Sequence, residues 1–136
     1  MLSKKFVHHI CIQTNNYQKS LDFYIKALGF ELVQESPQFH TRDYNSWLKL
    51  GDFYIELQTG KAGENLDTVS STNMEGIAHL CLWVEDLAAE VQFIKQLGYE
   101  YKLKNGHEIY RVENGNLCKM VAPEGTIIEL RDNRGV

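Results

Sequence analysis

The chain repeats itself, and each copy carries a histidine and a glutamate at matching places. His9-Ile10-Cys11-Ile12 returns as His79-Leu80-Cys81-Leu82, Leu28-Gly29-Phe30 as Leu97-Gly98-Tyr99, and Ile55-Glu56-Leu57 as Ile128-Glu129-Leu130. The offsets are 70, 69 and 73 residues, so only small insertions separate the copies. Such a chain is constrained to fold as two similar halves, each burying the same apolar positions. Packing explains repeated Leu, Ile and Gly. It gives no reason to repeat a His and a Glu inside apolar strands.

Within 136 residues, two such halves make one ordinary domain spanning residues 1–136, long enough to bury a core. Module one is expected at about residues 6–59, a polar Gly- and Ser/Thr-rich linker at about 60–75, and module two at about 76–133. A net charge of −4 argues against nucleic acid as a partner, because phosphate binding wants a basic surface. No apolar run approaches the roughly 18 residues of a membrane helix, so no membrane partner is expected. Met1-Leu2-Ser3-Lys4-Lys5 leads straight toward a strand without a signal-peptide apolar region. Three cysteines with no CxxC pair form no disulfide framework, and a cytoplasmic location is the simplest expectation.

Each half is expected to run βαβββ, an α+β arrangement. In the first, a strand over Phe6–Thr14 becomes regular only from His9 onward. Asn15 and Asn16 are caps for a helix from about Tyr17 to Leu28, with an apolar stripe of Tyr17, Leu21, Tyr24, Ile25 and Leu28. Gly29 supplies its left-handed stop. A strand over Phe30–Glu35 and an irregular segment around Pro37 follow, then strands near Tyr44–Leu50 and Phe53–Gln58 joined by a tight turn at Gly51-Asp52. The second half repeats this order: a strand over Ile77–Val84, Glu85-Asp86 as cap, and a helix from about Leu87 to Leu97 with the stripe Leu87, Val91, Ile94 and Leu97. A strand over Tyr99–Leu103, a polar mobile loop over Lys104–Asn116, and a hairpin of Leu117–Val121 and Thr126–Arg131 complete it.

Strand side chains alternate between faces, so residues two apart stand together. His9, Cys11 and Gln13 share one face, as do Tyr54, Glu56 and Gln58; His79, Cys81 and Trp83; and Ile127, Glu129 and Arg131. The opposite faces are aliphatic and suit a helix. Each mixed face must therefore line something else, and a polar cavity is expected there. A buried carboxylate or imidazole is costly unless paired, hydrogen-bonded or bound to metal. A lone strand histidine is more often a satisfied core or surface residue, but repetition of both types in register favours a metal site. Two imidazoles and two carboxylates suit a divalent ion such as Ni, Zn, Co, Mn or Fe.

The segments His9-Ile10-Cys11-Ile12, Ser20, Phe23-Tyr24 and Leu28-Gly29-Phe30 resemble the opening of glyoxalase I. Pro123-Glu124-Gly125 and Ile128-Glu129-Leu130 resemble the closing hairpin of the glyoxalase / vicinal oxygen chelate superfamily. The resemblance covers nearly the whole chain. It implies two tandem βαβββ modules in a glyoxalase/bleomycin-resistance/dioxygenase-type fold, with metal ligands at His9, Glu56, His79 and Glu129. A glutamate at the second ligand position resembles glyoxalase I, whereas methylmalonyl-CoA epimerase usually has Gln there. The implied activity is a metal-dependent lyase/isomerase that moves a proton through a metal-bound enediolate on a thiol–methylglyoxal hemithioacetal or a similar small substrate. Glu129 is the implied proton carrier, and Glu56 completes the coordination or acts on the opposite face. Many relatives are homodimers, and some build each site from one module of each chain.

The sequence departs from the pattern in two places. Thr14 stands where the opening motif prefers Val or Ile, and Leu57-Gln58-Thr59-Gly60 replaces the segment common in glutathione-using enzymes. Two alternative readings are an Fe(II)-dependent extradiol-type dioxygenase on His9, His79 and Glu129, and a non-catalytic small-molecule or drug-binding protein resembling bleomycin resistance proteins. Tyr54, Trp83, Arg131 and Arg111 are candidate substrate-binding residues, and Arg42, Lys49 and Lys119 are further candidates for an anionic group. His8 is expected on the face opposite His9, and His40 and His107 in solvent-facing loops. His107-Glu108 begins no HExxH motif, because Arg111 occupies its last place. Cys11 and Cys81 are expected to be small cavity-wall residues.

Overall fold

The structure, a computed structural model, describes residues 3–68 and 73–136. The chain divides into two compact units, Met1–Asp67 and Thr68–Val136. Part of the segment expected to link the modules, residues 69–72, lies outside the described residues. Among the described residues, no helix is long and apolar enough to cross a membrane.

The first unit runs β1 (His9–Thr14), α1 (Tyr17–Asp22), a π-helical turn (Phe23–Ala27), β2 (Glu31–Phe39), β3 (Arg42–Leu50) and β4 (Phe53–Thr59). The second runs β5 (Leu80–Trp83), α2 (Leu87–Gln96), β6 (Tyr110–Val112), β7 (Gly115–Val121) and β8 (Ile127–Arg131). Each is βαβββ, and each forms a four-stranded sheet of the same order: β1-β4-β3-β2 and β5-β8-β7-β6. The first and last strands of each module are parallel neighbours at one edge. That adjacency brings each repeated His beside its repeated Glu.

The aliphatic faces form the cores. Ile12, Leu48, Ile55 and Leu57 are buried with Leu21, Phe23 and Tyr24 in the first unit, and α1 packs on β4. Cys118, Met120, Ile128 and Leu130 are buried with Leu87, Val91 and Ile94 in the second, where α2 packs on β7. Leu97, expected on the buried stripe, is exposed as the C-cap just beyond α2. Thr14, unusual for the opening motif, is buried and accepts from Ser20 Oγ at 2.8 Å and the Asn16 backbone N–H at 3.0 Å. A Val or Ile there could accept neither.

Helix starts follow the expected caps. Asn16 accepts from the Lys19 N–H at 3.2 Å, and Asp86 from the Ala89 N–H at 3.0 Å. Gly29 and Gly98, at φ +79° and +94°, take the left-handed conformation that follows each helix. Replacing Asp86 by Ala leaves one N–H at the α2 start without its side-chain acceptor. We expect a stability loss of about 0.5–2 kcal/mol in urea denaturation.

Four local expectations are corrected. The first helix does not continue as α-helix to Leu28: it widens into a π-turn in which the Leu28 N–H bonds the Phe23 carbonyl at 3.2 Å. The turn buries Phe23 and Ala27, which lie outside the expected stripe, together with Tyr24. Ile25 and Leu28, expected on that stripe, are only half-buried. Pro37 is not in an irregular segment but within β2, opposite Tyr44. Because β2 is an edge strand, the missing N–H costs no ladder bond on the open side. The strand expected over Tyr99–Leu103 is reduced to one bridge between Lys102 and Lys119, and the second strand of the module is instead β6, inside the expected loop over Lys104–Asn116. Finally, β5 begins at Leu80 rather than Ile77, leaving His79 immediately before it.

Candidate metal centre

Ladder register repeats between the two modules. Cys11 pairs with Glu56 and Cys81 with Glu129, and in each case the His stands two residues before the Cys on the same strand or its approach. His9 Nε2 lies 4.0 Å from Glu56 Oε1, and His79 Nε2 lies 3.7 Å from Glu129 Oε1. The structure thus brings the predicted residues together as two pairs. Two donors bound about 2.0–2.2 Å from one ion stand roughly 3–4 Å apart, so each pair has the spacing of two ligands of a shared cation. A neutral imidazole and a carboxylate are also the donor types a borderline divalent ion takes. Among the described residues, no group of three or more His, Cys, Asp or Glu is placed to hold a metal ion. Each pair by itself offers two donors.

The surroundings of the pairs differ. Glu129 is buried, with Lys119 Nζ 3.9 Å from the same oxygen that faces His79. Lys119 is its cross-strand partner on β7. The corresponding neighbour of Glu56 on β3 is Trp47, so an aromatic ring replaces the cation. Glu56 accepts instead from Asn45 Nδ2 at 3.2 Å, while the buried Asn45 Oδ1 has no hydrogen-bond partner among the described residues. The thiol of Cys11 is pushed up to about 11 by burial and then by the adjacent Glu56. That of Cys81 is pushed up to about 12 by burial and then by its hydrogen bond to Glu129. Both are protonated at neutral pH; Cys11 is exposed and Cys81 half-buried.

Of the candidate substrate residues, Tyr54 is half-buried on the Glu56 face, with Lys49 Nζ 5.7 Å above its ring. Arg131 shares the Glu129 face, and its buried Nε has no hydrogen-bond partner among the described residues. Trp83 is half-exposed, donates from Nε1 to the Asp132 carbonyl at 3.0 Å, and carries the Arg134 guanidinium 4.4 Å over its ring. Arg111 is exposed on β6 opposite Asn116, a register that puts it on the other face of the sheet from Glu129. Arg42 is committed elsewhere, donating to Gln13 Oε1 and the Thr59 carbonyl.

Two residues near the pairs escape sequence reasoning. Tyr110, on β6 opposite Leu117, lies on the Glu129 face, and its hydroxyl is pushed up by burial and then by the Glu129 charge. Its strand had no apolar alternation long enough to mark it. His8, expected to face away from His9, instead places Nδ1 2.9 Å from His9 Nδ1. It precedes β1, so strict alternation does not apply to it.

Residues 8–116 match the family model described as the Glyoxalase/Bleomycin resistance protein/Dioxygenase superfamily. The chain belongs to this superfamily. It is 33% identical over 97 residues to the uncharacterized protein YwkD of Bacillus subtilis (strain 168), covering 71% of this chain and 74% of that protein. A crystal structure of a glyoxalase family protein from Enterococcus faecalis is 27% identical, with a TM-score of 0.76 over 94% of this chain and 98% of that one. A fosfomycin resistance protein from Listeria monocytogenes, crystallised with Mn(II) and sulfate, shares the fold at 15% identity, with a TM-score of 0.70 over 97% of this chain and 94% of its own. The superfamily membership and the βαβββ duplication agree with the architecture expected from the repeat.

Proposed function

We propose that this chain is a metal-dependent lyase/isomerase of the glyoxalase I type, in which His9, Glu56, His79 and Glu129 together hold one divalent ion. The observation that carries the reading is the same His–Glu pairing in both modules, at 4.0 and 3.7 Å. A bound ion would act as a Lewis acid on two adjacent substrate oxygens, stabilising the negative charge that builds as a C–H proton leaves. Glu129 would take that proton and return it to the neighbouring carbon. It is the more enclosed of the two carboxylates, with side-chain exposure of 8% against 22% for Glu56. Glu56, steadied by Asn45, would serve chiefly as a ligand. Tyr54 and Trp83 offer ring faces for the substrate's apolar part. The unpartnered Nε of Arg131 favours an anionic substituent, because a buried guanidinium N–H left without an acceptor is costly. A homodimer belongs to the same proposal. Every chain carries both pairs, so the expected stoichiometry is one ion per chain whichever chains supply the pairs to a given site.

Metal analysis of the purified protein tests the ligand set. We expect about one divalent ion per chain in the wild type and a clearly lower content in His79→Ala, which keeps three of the four proposed ligands but only one of the two imidazoles. Methylglyoxal with a panel of small thiols should be isomerised to the 2-hydroxyacyl thioester, with activity lost to a chelator and restored by one of Ni, Zn, Co, Mn or Fe. Unchanged metal content in His79→Ala would overturn the assignment. Ligand capture that survives chelation, with no turnover, would place the protein with drug-binding relatives instead.

A further inference from the structure

His9 and His79 are not equivalent beyond their shared glutamate geometry. In module one an imidazole precedes the candidate ligand; at the matching place in module two stands Ala78. His8 is held by three contacts besides the one to His9. Its ring stacks on Tyr54 at 5.1 Å and 19°, and it meets Trp47 edge-on at 6.0 Å. Its carbonyl accepts the Tyr54 backbone N–H at 3.1 Å, which anchors the residue to β4. His9 in turn meets Trp47 edge-on at 4.9 Å. The His8 ring is thus positioned by neighbours other than His9, and it presents Nδ1 to His9 Nδ1 at 2.9 Å.

A nitrogen–nitrogen hydrogen bond between neutral imidazoles needs one N–H and one lone pair. If His9 donates, its proton sits on Nδ1 and its Nε2 lone pair is free on the side where Glu56 lies 4.0 Å away. That is the tautomer a metal ligand requires at Nε2, and it is not the tautomer a free histidine side chain prefers. A carboxylate facing that lone pair is an arrangement that a cation between them would relieve.

We propose that His8 is a positioning residue: it accepts the His9 Nδ1–H and so sets His9 in the tautomer that offers Nε2 toward Glu56. This rests on the ligand role assigned to His9 under the proposed function, but its effect exists in the metal-free protein. Metal ligands commonly depend on such a partner at their other ring nitrogen, and its loss typically costs 10–100-fold in metal affinity.

Two variants separate the acceptor from the packing. His8→Phe keeps a ring against Tyr54 and Trp47 but removes the acceptor. His8→Asn places a carbonyl oxygen near the position of Nδ1 and restores it. Ring ¹⁵N shifts of His9 are read by long-range ¹H–¹⁵N NMR on the full chain without metal, at about pH 9 where imidazoles are neutral. The expected result is an Nδ1–H tautomer in wild type and His8→Asn, and an Nε2–H tautomer in His8→Phe. Titration with Zn(II) should then show affinity about 10–100-fold weaker in His8→Phe and near wild type in His8→Asn. An Nε2–H tautomer in wild type, or no change in His8→Phe, would overturn the role of His8. Failure of wild type to bind any divalent ion while the tautomers behave as stated would overturn the metal reading and leave the His8 contact standing.

Discussion

Glu129→Gln is expected to fold normally and to lose about 10²- to 10⁴-fold in kcat, the usual contribution of a positioned general base. The amide matches the carboxylate in shape, so the core on the other face of β8, with Cys118, Ile128 and Leu130, stays packed. Lys119 loses a charged partner at 3.9 Å, but it is one-third exposed and water can replace that contact at small cost. What the amide cannot do is take a proton. A carbonyl oxygen can still face an ion, so KM and metal content should change much less than kcat. Glu56→Gln supplies the comparison: as a ligand rather than a base, it should weaken metal binding first and lower kcat less at saturating metal. The reverse ranking, with Glu56→Gln inactive and Glu129→Gln near wild type, would move the proton-transfer role to Glu56.

The largest effect on stability is expected at Phe23. Its side chain is fully buried in the π-turn and meets the Tyr24 ring edge-on at 5.3 Å. Phe23→Ala removes a large apolar group and leaves a cavity that two flanking buried residues, Tyr24 and Ala27, cannot fill without moving. A loss of about 3–5 kcal/mol is expected, a large fraction of the total stability of a domain this size. Leu28→Ala is the control. A regular helix would put Leu28 on the buried stripe, whereas the π-turn leaves it half-buried. Urea midpoints for the two variants therefore discriminate directly: a Leu28→Ala loss equal to or above that of Phe23→Ala would mean the turn is α-helical in solution.

Much of the fold was legible from spacing. Period-two alternation separated His9, Glu56 and Glu129 from Ile12, Ile55, Leu57, Ile128 and Leu130, and the latter are buried. Asn16 and Asp86 were recognisable as caps because their side chains act within three residues, a range at which sequence and structure coincide. The misses have a common origin. Pro37 looked like a break because proline cannot donate to a ladder, yet on an edge strand it need not. β6 was overlooked because three residues cannot show a period, and its pairing with β7 supplies the order that its own composition does not.

Sequence alone determined the duplication, the two βαβββ modules and the identity of four matching His and Glu residues, because all of these are carried by local periods and their repetition. Tertiary structure decided what surrounds those four. The parallel pairing of each module's first and last strands brought His9 to Glu56 and His79 to Glu129. Antiparallel register then set Trp47 beside one glutamate and Lys119 beside the other. It also turned Arg111 away and brought Tyr110 in. His8 came to His9 because Tyr54 and Trp47 hold it there. Such neighbours lie from nine to fifty residues apart in the chain, and no local pattern encodes them. Only the register of one strand against another does.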